Sequence, residues 1–290
     1  MLLAAVIYGI AAMFAGGVSN ALLKDSVSRF GPVRSAMLRA AVSSVVLAVA
    51  ILVIRPSVSW DLGMTVFTVA VSLLGYFPFL FMLEGFRKGK VGVVVPVASG
   101  WIVIAALFSA VFFGETYSPG KLAAFVAILG GIIAVSVNPK EWGTLKPFDA
   151  RTGIPFALAA ALLWGVVFPL FKVTAGYFGA VVFAWIIETT VALSALLHLT
   201  LRGEPLAPRP RALGRSWLPF TVAGVLTALY TVAVSEGYQT GEIGIVSALA
   251  GSGVVVAVIV AALMHRERLA IPQYLGVGLV LLGTVIASII

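Results

Sequence analysis

Two ionisable residues stand where the chain is otherwise continuous hydrocarbon. In "VVFAWIIETTVALSALL", residues 181–197, Glu188 is the one charge, and in "MLRAAVSSVV", residues 37–46, Arg39 is the one charge. A carboxylate and a guanidinium so placed can neutralise one another or be solvated apart. They can also hold the ammonium and carboxylate of a zwitterion, or exchange a proton at the acid. Arg39 could instead snorkel to the nearer membrane face. Lys24 and Lys172 close two further apolar stretches, where an ammonium either anchors at headgroups or meets a phosphate. Trp101, Trp164 and Tyr230 supply flat apolar faces for stacking, and Asn20, beside Ser19, supplies an amide.

What must position these groups follows from composition. Of 290 residues 61% are hydrophobic and 10% charged, with mean hydropathy +1.12, whereas soluble domains are about a quarter charged. Such a chain belongs in a bilayer, where a helix of about 20 apolar residues crosses roughly 30 Å of hydrocarbon. About ten stretches qualify: 2–22, 33–54, 63–83, 91–113 and 119–137, then 153–171, 179–201, 217–235, 243–264 and 271–290. The first lacks a basic leader and is read as a retained span rather than a signal peptide. A mid-span carboxylate costs about 2.5–3.5 kcal/mol on the insertion scale while each Leu, Ile, Val or Phe returns about 0.3–0.6, so the Glu188 stretch still inserts.

Helix breakers mark where walls bend. Pro78, Pro96 and Pro169 lie in or near apolar stretches, with Gly100 and Gly251 beside them or their counterparts, and these five are the candidate break or gating positions. A kink that only serves packing is the alternative.

The chain is one unit written twice. "LEGFRKGKVGVVVPVASG" (residues 83–100) aligns with "SEGYQTGEIGIVSALAGS" (residues 235–252) at an offset of 152, which also pairs Glu115 with Glu267 and Gly131 with Gly283. Earlier in each half the offset is 148, pairing Lys24 with Lys172 and Gly17 with Gly165. Under it Arg39 falls one residue from Glu188. The expected organisation is a first repeat over 1–138, a linker over 139–152 and a second repeat over 153–290. Five spans per repeat is odd, so the second copy enters the membrane from the opposite side, as in many secondary transporters. The expected fold is thus an all-α integral membrane protein of ten transmembrane helices in two inverted five-helix repeats.

Charge orients it. Connections after odd-numbered spans hold fifteen Lys and Arg, and those after even-numbered spans hold three, Arg55, Lys121 and Lys172. The positive-inside rule then places the odd connections in the cytoplasm and both termini outside, in a cell (inner) membrane. The net charge of +8 is accounted for by that bias and does not imply nucleic acid. With no cysteine, disulfides and thiolate chemistry are excluded. His198 and His265 stand alone near span ends and are read as headgroup or loop-water contacts, not metal ligands. No GxxxxGK[ST] loop occurs, so this chain alone is not ATP-driven. Neither a nucleophile with its base nor a metal cluster points to an enzyme, and no cofactor is implied.

The motif "ALLWGVVFPLFK" opening the second repeat, and the acidic turns leading into Gly-rich spans, "GETYSPGKLAAFVAILGG" and "RERLAIPQYLGVGLVLLG", resemble the EamA repeats of the drug/metabolite transporter superfamily. The resemblance covers nearly the whole chain. It implies two inverted five-helix repeats and a carrier, mostly an exporter of amino acids and other metabolites. The expected partners are a small-molecule substrate and the lipid bilayer, with the proton as candidate coupling ion and a monomer as one permitted state. Two other readings stay open: a carrier or flippase for a phosphate-bearing or lipid-linked substrate held by Lys24, Arg39 and Lys172, and a non-transport membrane scaffold.

Overall fold

The computed structural model describes residues 2–89, 94, 97–136, 152–206, 217–265 and 271–289, apart from some side chains, Lys24 and His265 among them. Pro96 lies outside the described residues. All regular structure among them is helical. The helices are α1 (Leu2–Phe30), α2 (Pro32–Ile54), α3 (Leu62–Lys88), α4 (Trp101–Phe112), α5 (Pro119–Ser136), α6 (Ile154–Phe178), α7 (Ala180–Leu201), α8 (Trp217–Thr240), α9 (Ile243–Gly251), α10 (Gly253–His265) and α11 (Ile271–Ile289). Seven described helical spans are long and apolar enough to cross a membrane, one running from α9 into α10, and three shorter apolar helices accompany them.

Helices α1, α3, α6 and α8 run one to two turns beyond their apolar stretches. Only the hydrocarbon limits an apolar run, whereas the helix continues until its backbone is forced to turn. Gly31 and Gly179 do this at equivalent positions, with φ +80° and +77°. That left-handed region suits a residue without Cβ, so α1 turns into α2 and α6 into α7 over a single residue.

Pro78 and Pro169 are buried inside α3 and α6, and both helices continue through them. A proline removes one backbone N–H and crowds one carbonyl, and its φ remains helical, so it can bend a packed helix without ending it. Among the described residues the interruptions fall at Ser99–Gly100, which includes the candidate position Gly100, and at Ser252, next to Gly251 and equivalent to Gly100 under the 152 offset. Both are tightened by bonds three residues apart: Gly100 N to Val97 O (3.1 Å) and Val103 N to Gly100 O (3.2 Å) in one, Ser252 N to Leu249 O (3.1 Å) and Val255 N to Ser252 O (2.9 Å) in the other.

Packing runs chiefly between the halves. Helix α1 packs on α8, α9 and α10, and α6 packs on α3 and α4 in the exchanged arrangement; α2 meets α7, and α5 meets α11. Two ends of the bundle are defined by contacts between connections. At one, rich in basic residues, the Phe30 ring packs tilted against Phe220 (5.4 Å) and Arg34 donates to Pro205 O (2.7 Å). At the other, sparse in basic residues, the Trp60 ring packs tilted against Phe178 (5.5 Å) and Lys121 pairs with Glu242. Close approach is bought by small residues, as where a Cβ on Gly17 would stand against Gly253 O of α10.

Candidate functional site

Where α1, α2, α3, α6, α7, α8 and the two interrupted spans converge they leave a cavity of about 150 Å³. A space of that size takes a single benzene-sized ring. On α1, α2 and α3 the lining residues lie in the half of each helix nearer the basic end: Gly16 to Leu23, Arg39, and Gly75 to Met82.

The charged wall is a pair contributed by the two halves. Arg39 Nη2 lies 3.1 Å from Glu188 Oε2, with both side chains 6% exposed. The contact is ionic rather than a well-aligned hydrogen bond, and Arg39 Nε and Glu188 Oε2 retain unused hydrogen-bonding capacity. Each partner is also held by a further residue of the lining. The guanidinium carbon of Arg39 sits 4.3 Å above the Phe79 ring, and Thr231 Oγ1 donates to Glu188 Oε1 at 3.2 Å. Both residues line the cavity, while the unpartnered Arg39 Nε and Glu188 Oε2 are themselves buried, so a ligand engages those two atoms only if the pair shifts.

The aromatic wall is organised on Phe168. Its ring lies 4.6 Å from Trp101, 5.8 Å and nearly parallel to Trp164, and 6.4 Å from Tyr230. Buried Pro169 follows it directly in the chain. A third, neutral polar strip comes from α8 and α1. Ser19 Oγ donates to Ala223 O (3.1 Å) and lies 2.9 Å from Thr227 Oγ1, and Asn20 lines the cavity beside it.

Of the residues singled out from sequence, Arg39, Glu188, Trp101, Trp164, Tyr230, Asn20 and Gly251 line this one cavity. Lys172 is not in the lining. Its ammonium turns to Glu115 (3.7 Å), which is 6% exposed. Glu115 also accepts from Ile243 N (2.7 Å) and Gly244 N (3.2 Å), capping α9 from the other half. Tyr117 donates to it at 2.9 Å, and burial pushes that phenol above its ordinary pKa, keeping it a neutral donor. The Lys24 side chain lies outside the described residues. Among the described residues no group of three or more His, Asp or Glu is placed to hold a metal. His198 Nδ1 is 3.0 Å from Tyr76 Oη.

Sequence reasoning missed Phe79, Thr227 and Thr231 and gave Phe168 no role. The threonines carried a readable signal, since Thr227, Thr231 and Ser235 recur every four residues on one face of an apolar helix. Thr231→Val should leave a buried carboxylate oxygen without its donor. We expect about 1–3 kcal/mol of lost stability, read as a lower melting midpoint in detergent, with the helix content unchanged.

A family model described as EamA-like transporter family matches residues 3–137 and 151–289. A solved structure described as "Crystal structure of protein" is similar at 20% sequence identity and a TM-score of 0.79, over 98% of this chain and 98% of that one. At that identity the likeness concerns the fold.

Proposed function

Because the chain belongs to the EamA-like transporter family and is therefore a multi-pass membrane protein of transporter kind, we propose that it is a secondary carrier, without catalytic activity, that exports a small amphipathic metabolite by alternating access, an amino acid or a chemically similar zwitterion. The observation that carries this reading is the Arg39–Glu188 pair in the wall of a cavity that Trp101, Trp164, Phe168 and Tyr230 also line. One half supplies the cation and the other the anion, so a bound zwitterion bridges the two bodies that alternating access must move.

Ten membrane-spanning segments in two inverted repeats, 1–138 and 153–290 joined by 139–152, fit the packing. The start of α1 meets Gly241 at the sparse end and its last residue meets Phe220 at the basic end, while α6 starts beside Gly85 and ends on Trp60. The charge count makes the basic end cytoplasmic, with both termini outside. Arg39, Glu188, Trp101, Trp164, Tyr230 and Asn20 are the substrate-facing residues, and Gly100 and Gly251 flank the interruptions that bend the wall. The proton is the coupling ion in this reading, exchanged at Glu188 as substrate leaves Arg39.

The phosphate reading is weaker on one observation. It requires several cations at one place, and Arg39 lines the cavity while Lys172 is spent on Glu115. The deciding experiment is the melting shift of detergent-purified protein against amino acids, aromatic metabolites, cationic drugs and phosphorylated headgroups. A ligand at 100 times its Kd adds about 2.7 kcal/mol to the folded state. Stabilisation by zwitterionic amino acids is expected; stabilisation by phosphorylated compounds alone would overturn the proposal.

A further inference from the structure

We propose that Glu115 is the latch that shuts the cavity at the sparse end, and that substrate release on that side requires its carboxylate to let go of α6 and α9 together. The proposal rests on the carrier reading and adds to it the identity of the closed gate.

Glu115 belongs to the first half, in the connection between α4 and α5, and the groups it holds at a distance belong to the second. They are the backbone N–H groups of Ile243 and Gly244 at the start of α9, and the Lys172 ammonium near the end of α6. A buried carboxylate at a helix N-terminus meets both unsatisfied donors and the positive end of the helix dipole. These are the helices that reach the cavity from above. Phe171 lines it and Lys172 is the next residue; Ala250 lines it and lies seven residues along α9 from Ile243, about 10 Å deeper. The latch therefore sits over the cavity, while the lining of α1, α2 and α3 extends toward the opposite, basic end.

Two further residues make this closure specific. Tyr117 Oη lies 2.9 Å from Glu115 Oε2 and 2.6 Å from Ser109 Oγ, tying the carboxylate to α4. Gly244 makes room for that ring, since a Cβ there would stand 2.5 Å from Tyr117 Oη. In the second repeat the offset of 152 retains an acid at Glu267 but puts Leu269 where the first has Tyr117. The hydroxyl that steadies the latch thus has no equivalent at that position in the sequence of the other repeat.

The test uses Ala250→Cys in this cysteine-free chain, reconstituted in vesicles of known sidedness and labelled with a charged, membrane-impermeant thiol reagent. In that background Glu115→Gln is expected to raise the labelling rate from the sparse-end side at least tenfold, about the effect of losing one charge-assisted interaction. Lys172→Gln and Gly244→Ala, which leave the carboxylate in place, should raise it in the same direction by a smaller factor, so the test survives if Glu115→Gln fails to fold. Unchanged labelling from that side in the folded variants would overturn the latch. The carrier reading is judged separately by the melting shift of the unsubstituted chain with amino acids: a shift there with no change in labelling rejects the latch alone.

Discussion

Arg39→Leu should destabilise the folded protein by about 3–5 kcal/mol, because it leaves Glu188 as an uncompensated charge at 6% exposure in the middle of the bundle. Ligand stabilisation should disappear with it. Adding Glu188→Leu to that variant is expected to return most of the lost stability, since a well-packed apolar pair of similar volume often matches or exceeds a buried ion pair. The double variant should still fail to respond to amino acids. Melting midpoints of the parent, Arg39→Leu and the double variant, each with and without ligand, separate the two roles of the pair. If Arg39→Leu melts with the parent, the charges are not neutralising one another; if the double variant regains ligand stabilisation, the pair is architectural and the substrate assignment falls.

Gly17→Val is expected to have the second large effect. A Cβ at Gly17 would meet Gly253 O and Val256 Cβ of α10, and a Cβ at Gly253 would in turn lie 2.8 Å from Met13 O. Backbone faces backbone at this crossing, so no rotamer change relieves the clash and α1 must move away from α10. Overpacking of this kind costs about 1–3 kcal/mol and occasionally more. Here it also displaces Ser19 and Asn20 from the cavity wall, so ligand stabilisation should fall with the melting midpoint. Gly130→Ala is the matched comparison, since nothing lies within 4 Å of its Cβ position and α5 is helical there. It should be neutral or raise the midpoint slightly, as alanine is favoured over glycine in a helix interior. Equal losses in both would show that the α1–α10 crossing is not special.

The positions of Arg39 and Glu188 show how far one sequence reaches. The offset of 148 put them at nearly equivalent places in the two halves, yet equivalence under a repeat does not itself bring residues together. They meet because α2 and α7 pack on each other across the halves. Lys24 and Lys172 are matched just as well, but α1 and α6 pack against other partners, and Lys172 turned out to serve Glu115. Phe168 was legible as an aromatic beside a proline and illegible as the centre of a ring cluster, because its neighbours come from α4, α6 and α8. For Pro78 and Pro169 the limit is a related one. A proline's effect on a helix depends on whether packed neighbours hold the bend, which no local pattern records.

By itself the sequence determined the membrane class, the duplication, the start of most helices, and two charges that must face protein or water. Each follows from a local quantity: the cost of moving a side chain or a backbone group out of water, or the φ that a glycine allows. The tertiary structure alone decided which charges pair, which rings form one wall, and that Glu115 reaches across to the other half. In hydrocarbon most apolar faces are energetically alike, so the pattern of hydrophobicity carries little information about partners. Those choices rest on shape, on small residues that let backbones approach, and on the few polar groups that must find one another.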